Sequence, residues 1–277
     1  MPVIAGLGVA ESALMILIFL FGFGSSLGWL IELLFRRFIS TNNPQKKWIN
    51  PGFLVGPCLP IYGVGLIVLF TMSLFPYVSV NIGKPLTWQG VLIAIVLMGV
   101  LMTLVEYIAG IIFIKRMNLK LWDYSDRKGN IKGIICPLFS FIWTVLGALY
   151  YFFMQPYILK MVAWLYENVG VIFFIGVYFG IFIVDMGYSF NIAGKIKAYA
   201  KDNAIIVRYE EFKNTIKRYN EEHDFKNRFF SSFASGTSIK EHLDNYKEMI
   251  TSVTKTVSKN AEEKIEKVKD IIQDITH

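Results

Sequence analysis

Three carboxyl groups fall inside apolar runs of this 277-residue chain: Glu32, Glu106 and Asp185. An ionisable group in hydrocarbon is costly, so each needs a partner, a proton or a polar cavity. Such positions are where protons, cations or polar solutes could be handled. Counted back from the next basic residues along a helix, Glu32 lies roughly 6 Å, Glu106 roughly 13 Å and Asp185 roughly 15 Å inside the boundary. Glu32 stands four residues before Arg36, the spacing of an i,i+4 ion pair, which explains it without further function. Glu106 has no cation within a turn and shares a stripe with Gly99, Thr103 and Gly110, which lets a helix or a solute come close. Two readings stay open for Glu106: a buried, hydrogen-bonded and protonated carboxyl, or a group lining a pathway. Asp185 lies opposite a Gly176, Gly180, Gly187 face and so faces something else polar.

A second constellation is made of helix breakers. Pro51, Gly52, Gly56, Pro57, Pro60, Gly63 and Gly65 fall within fifteen residues around Tyr62. Irregular backbone at membrane depth is tolerated only against protein or a water-filled cavity, so this entry is a candidate functional element. The candidate pathway set is therefore Glu106, Glu32, Asp185, Thr103, Pro57, Pro60, Tyr62 and Gly63.

These residues must be positioned by membrane helices. Five apolar runs, 13–35, 58–80, 88–114, 134–154 and 168–190, are each long enough to cross a core of roughly 30 Å. The loops after the first and third runs hold ten lysines and arginines, against Lys84 and Lys160 after the second and fourth. That asymmetry predicts an N-terminus outside and a C-terminus in the cytoplasm. The first run has no basic residue before it, so it is expected to be retained as a span. An apolar share of 54% agrees with an all-α polytopic membrane protein, residues 1–194, followed by a cytoplasmic helical tail, 195–277. Of the +7 net charge, +5 belongs to residues 1–194, so it reflects membrane orientation and gives nucleic-acid binding little support.

Two segments of the membrane part read alike. Glu32, Arg36-Arg37, Trp48, Asn50-Pro-Gly and Cys58 recur as Glu106, Lys115-Arg116, Trp122, Asn130-Ile-Lys-Gly and Cys136. The pattern fits either a parallel duplication or two loops solving the same interfacial problem. In the tail, Ile205, Tyr209, Phe212, Ile216 and Tyr219 form one helical stripe, and Ile239, Leu243, Tyr246, Ile250, Val253 and Val257 another, the latter opened by a Ser238/Glu241 capping box after a break at Gly236. Between them, Lys226-Asn-Arg-Phe-Phe230 and Phe233 suit a membrane surface.

Several chemistries are not expected. The three histidines all lie in the tail, and no phosphate-binding Gly-x4-Gly-Lys-Ser/Thr loop, nucleophile elbow or Cys-x-x-Cys pair occurs. No cofactor or resident metal is called for. Asp123 and Asp126 could hold a metal at the membrane surface, although a loop with a satisfied turn reads equally well.

The segments Gly28-Trp-Leu-Ile-Glu32, Asn50-Pro-Gly-Phe-Leu-Val-Gly-Pro-Cys-Leu-Pro-Ile-Tyr-Gly-Val-Gly65, Glu106-Tyr-Ile-Ala-Gly110, and Leu121-Trp-Asp-Tyr-Ser125 with 130–136 together resemble the CmpB-like family of bacterial ABC-transporter permeases. The resemblance covers roughly residues 12–190. It implies a permease in a bacterial cytoplasmic membrane that works with a separate cytoplasmic ATPase, and so few helices favour a homo-oligomer. The competing expectations are a membrane scaffold or sensor acting through its tail, and an ion-coupled transporter or channel.

Overall fold

The computed structural model describes residues 4, 7–40, 43, 46–79, 87–223, 225, 229, 233 and 237–276. The end of the second run at Val80, Lys84, Gly236 and most of 226–230 lie outside these residues. The described residues are 76% helical. Its order is α1 (Val9–Phe38), α2 (Pro60–Ser79), α3 (Trp88–Met117), β1 (Leu119–Lys120), α4 (Pro137–Leu149), a π turn (Tyr150–Met154), α5 (Gln155–Glu167), α6 (Val171–Asp202), β2 (Val207–Arg208), α7 (Tyr209–Glu222) and α8 (Ile239–Thr276).

Among the described residues four helices are long and apolar enough to cross a membrane: Val9–Phe38, Trp88–Met117, Pro137–Glu167 and Val171–Asp202. The fifth expected span is the apolar helix α2, whose counted stretch, Pro60–Leu74, is shorter. Arg36 and Arg37 in the last turn of α1, and Lys115 and Arg116 in that of α3, offset the carbonyl ends of these helices. The α3 N-terminus is capped by the Thr87 side chain, which accepts from Gly90 N–H at 3.3 Å.

Two expected boundaries are corrected. The fourth helix does not stop at Met154 but continues to Glu167, carrying Lys160 within it. Hydropathy drops at Gln155-Pro156, and proline normally ends a helix. Here the π turn absorbs the break: Gln155 N–H bonds to Tyr150 O, five residues back, and Pro156 opens the next helical segment where its missing N–H costs least. The last membrane helix likewise does not end at Phe190. It runs on through residue 194 to Asp202 and enters the layer formed with α7 and α8, where Ile192, Ile196 and Ala200 are buried.

The hydrophobic core is split between the two ends. One cluster joins Ile16 and Leu20 of α1, Phe70 of α2, Met98 of α3, Tyr150, and Ile158, Val162 and Leu165 of α5. The other gathers Leu119, Ile196, Val207, Tyr209, Phe212, Ile216, Leu243 and Tyr246 around the far end of α6. The tail is thus built into the body of the protein and is not a pair of helices folded only on each other. Ser238 caps α8 as expected, accepting from Glu241 N–H at 3.2 Å, while the Glu241 carboxylate accepts from Tyr219 Oη at 3.1 Å.

The parallel pairing of β1 with β2 was not foreseen; two-residue strands leave no alternation to read. Asp123 fastens it, binding Lys120 Nζ at 2.6 Å and Arg208 Nε at 3.1 Å and accepting from Ser125 N–H at 2.9 Å. Burial opposes the Asp123 charge, but the Lys120 and Ser125 hydrogen bonds outweigh it and hold the carboxyl below its ordinary value of 3.8. A depressed carboxyl stabilises the fold above the unfolded value, and that contribution is lost as pH falls through the lowered one. The protection of the amides at residues 119–120 and 207–208, their exchange rate relative to the intrinsic rate at each pH, should therefore be unchanged from neutral pH down to about 4 and fall only below it.

Candidate functional site

The breaker-rich segment between α1 and α2 is irregular and largely buried, and hydrogen bonds tie it to its neighbours. Asn50, 4% exposed, organises it. Its amide donates to the carbonyls of Leu54 and Val55 at 3.1 and 2.8 Å, and its Oδ1 accepts from Trp29 Nε1 at 2.8 Å. Asp185 of α6 closes the other side, accepting from Val55 N–H at 2.9 Å, Gly56 N–H at 2.8 Å and Ser189 Oγ at 3.2 Å. Leu59 N–H donates to Ser25 O at 3.0 Å. Backbone that has left helical geometry thus finds partners in side chains and in a neighbouring helix, as burial demands. Phe53 anchors the turn among Phe113, Phe190 and Tyr209, with ring centroids 5.1–5.8 Å away.

Beside this segment runs a polar track through the bundle. Glu32 pairs with Arg36 Nε at 2.9 Å, as its spacing predicts, and also accepts from Tyr62 Oη at 3.2 Å. The Tyr62 ring meets Trp143 of α4 edge to face at 6.0 Å. Trp143 Nε1 donates to one oxygen of Glu106 at 3.0 Å, and Tyr124 Oη to the other at 2.9 Å. Two carboxyls from α1 and α3 are therefore joined through aromatic groups of α2 and α4. Burial and the Glu106 carboxylate push the Tyr124 phenol far above its ordinary range, so Tyr124 remains a donor.

The Arg36 end of the track is occupied by α7. Arg36 Nη1 reaches Glu210 at 2.6 Å, and Glu210 lies 3.6 Å from Lys213 Nζ. The Lys213 side chain is only 5% exposed. Its ammonium donates to Asn50 O at 2.8 Å and Gly52 O at 3.4 Å, and stands 5.1 Å from the Tyr209 ring centre. Burial opposes the Glu210 charge, yet Lys213 and Arg36 hold its carboxyl below the ordinary range, while burial lowers the Lys213 pKa. A cavity of about 10 Å³, the least that a water needs, lies here between Asn50, Gly52, Ser189, Tyr209 and Lys213.

The two similar sequence segments are alike in three dimensions as well. Gly24 of α1 packs against Leu66, eight residues after Cys58; Gly99 of α3 packs against Thr144, eight residues after Cys136. In each hairpin the glutamate on the first helix accepts from an aromatic side chain on the second. In the second loop Asn130 takes the role of Asn50, donating to Ser125 O and Arg127 O and accepting from Gly133 N–H at 2.9 Å.

Of the expected residues, Glu32, Tyr62 and Glu106 are brought onto one track, and Asp185, Pro57 and Pro60 onto the irregular segment at its end. Thr103 is turned away, donating to Gly99 O of its own helix at 2.9 Å. Gly63 serves close packing against Ser25 and Phe21 O. The Gly176, Gly180 and Gly187 face meets nothing within 4 Å. Asp123 is taken up by Lys120, Ser125 and Arg208, whereas Asp126 is 75% exposed beside Arg127, so the two share no site. Sequence reasoning missed Lys213, Glu210, Trp143 and Tyr124. Lys213 carried a signal, since it lies four residues after Tyr209 on the face with Phe212 and Ile216.

The family model described as "Putative ABC-transporter type IV" matches residues 19–190, which hold the track, the irregular segment and Asp185. The chain belongs to this CmpB-like ABC-transporter family. No curated protein and no solved structure matches it. As a family member it is a membrane transport component, and the match stops short of α7, so Glu210 and Lys213 lie outside the family's matched region.

Proposed function

We propose that this chain is the membrane-spanning permease subunit of a transport system in a bacterial cytoplasmic membrane. In this reading α2 is a fifth span, the N-terminus is outside, α7 and α8 are cytoplasmic, and the working unit is a homo-oligomer with a separate ATPase. The chain itself hydrolyses no ATP. The observation that carries the reading is the polar track, a buried carboxyl (Glu106) and a half-buried one (Glu32) from different helices, ending at a hydrogen-bonded, non-helical segment at the cytoplasmic mouth. Broken backbone beside buried carboxyls near a repeat interface is how transporters build a solute route.

The test is purification of the tagged protein in mild detergent from its host, with mass spectrometry and ATP hydrolysis measured on the eluate. A stoichiometric ATPase is expected. Self-association without an ATPase would overturn that partnership and leave an ion-coupled transporter or channel. Glu106→Gln removes the charge and one of two acceptors facing Trp143 and Tyr124, at a cost of about 1–3 kcal/mol. It should cut the turnover of the co-purified complex about tenfold, with folded yield within twofold; equal turnover would remove Glu106 from the route.

A second reading, a scaffold or sensor, is favoured by α8, whose residues 251–256 are exposed while the helix runs on to Thr276. Deleting 251–277 discriminates, because it spares the buried part of the tail. A scaffold loses partner binding and function together; a permease docked through its loops keeps turnover.

A further inference from the structure

We infer that the oxygen cage around Lys213 is a binding site for a monovalent cation of ammonium size, such as K⁺, which α7 fills from within by a tethered ammonium group. The inference does not depend on the permease reading.

The cage is made of three kinds of oxygen. Asn50 O and Gly52 O, carbonyls of the irregular segment, accept from Nζ at 2.8 and 3.4 Å. The Glu210 carboxylate stands at 3.6 Å and supplies the compensating charge. The adjoining cavity of about 10 Å³ has room for about one water, with Ser189 also on its wall. Carbonyls, a carboxylate and water are the ligands that hard cations take, and carbonyls of unwound segments hold them in transporters. The Tyr209 ring, 5.1 Å from Nζ, adds a face that attracts any cation of this size.

The side chain that fills the cage does not fit its surroundings as an ordinary lysine would. Lys213 is 5% exposed on a helix whose buried neighbours are Tyr209, Phe212 and Ile216. An apolar residue at that position would pack there without desolvation cost. It would, however, leave Asn50 O and Gly52 O, in a buried segment, without the donor they now have. The geometry therefore calls for a positive charge at this point, and the chain provides it from α7. A free cation can take the same place only when the Lys213 side chain is absent or withdrawn. In the intact protein the free cation and the Lys213 ammonium exclude each other, while α7 stays docked and supplies Glu210 and Tyr209.

The experiment compares thermal unfolding of detergent-solubilised parent, Lys213→Ala and Lys213→Met in potassium chloride and in N-methyl-D-glucamine chloride at equal ionic strength. Lys213→Ala should melt below the parent in the bulky cation. Potassium, or methylammonium, should restore at least half of that loss in a saturable way. The parent should not respond, because its own ammonium occupies the site. Lys213→Met, whose side chain fills the space, should not respond either. Equal melting of Lys213→Ala in both salts would overturn the inference, as would the same potassium response in all three proteins. If Lys213→Ala yields no folded protein in N-methyl-D-glucamine, yield is the readout. Recovery of monodisperse protein in potassium or methylammonium supports the site, and failure in both overturns it.

Discussion

Replacing Asp185 by alanine should release the 50–59 segment from α6 and open the end of the bundle that α7 covers. The carboxylate accepts from two consecutive backbone amides, Val55 at 2.9 Å and Gly56 at 2.8 Å, and no other acceptor for them is near in the described structure. Leaving such donors unmet costs about 1–3 kcal/mol each, so the total loss is on the order of 2–5 kcal/mol. Cys58 reports the effect locally. It lies two residues beyond Gly56, is 5% exposed, and its N–H bonds to Gly56 O at 2.8 Å. Its labelling by a thiol reagent should accelerate tenfold or more in Asp185→Ala, while Cys136, 2% exposed in the second loop, keeps its rate. Asp185→Asn keeps one acceptor and should fall between. Unchanged Cys58 labelling would show that the segment stands without Asp185.

The second large effect concerns helix approach. A Cβ on Gly63 would overlap Ser25 Oγ and come within 2.5 Å of Phe21 O, and one on Gly28 would overlap the Tyr62 side chain at Cβ and Cγ. Neither obstacle is the free end of a flexible chain. Gly63→Ala or Gly28→Ala must therefore push α1 and α2 apart, costing about 1–3 kcal/mol or more, and Gly28→Ala also displaces Tyr62 from Glu32. Both should lower the melting temperature and folded yield sharply. Gly176→Ala and Gly180→Ala on the open face of α6 are the controls, with nothing within 4 Å of either. A fall of similar size in those two would place the cost in the helix backbone and not in the α1–α2 contact.

Membrane character, the apolar runs and the carboxyls were legible because burial in hydrocarbon leaves a one-dimensional trace, a long run interrupted by a costly residue. The breaker string around Pro57 and Pro60 was legible for the same reason. What the carboxyls bind was not. Glu32 with Arg36 is a local pair and could be read from spacing, but Lys213 lies 163 residues from the Asn50 carbonyl it serves, and Asp185 lies 129 residues from Gly56. A single chain carries no record of such distant pairings. Helix ends failed where hydropathy and helicity part company: at Gln155-Pro156, where a π turn carries the helix through a proline, and after Phe190, where α6 leaves the apolar run but stays helical to Asp202.

The two-residue parallel ladder between β1 and β2 has a mechanical consequence. β1 follows α3 after a single residue, Asn118, in the left-handed conformation, and β2 follows α6 after a short turn. The register is fixed as Leu119 with Val207 and Lys120 with Arg208. Sliding one strand past the other by one residue takes about 3.3 Å and turns every side chain to the opposite face. That slip would expel Val207, fully buried, from the core it shares with α6, α7 and α8. Intermediate offsets have no hydrogen-bond minimum. The inner ends of α3 and α6 therefore share one vertical coordinate, and through Asp185 of α6 the irregular segment between α1 and α2 is referred to the same level.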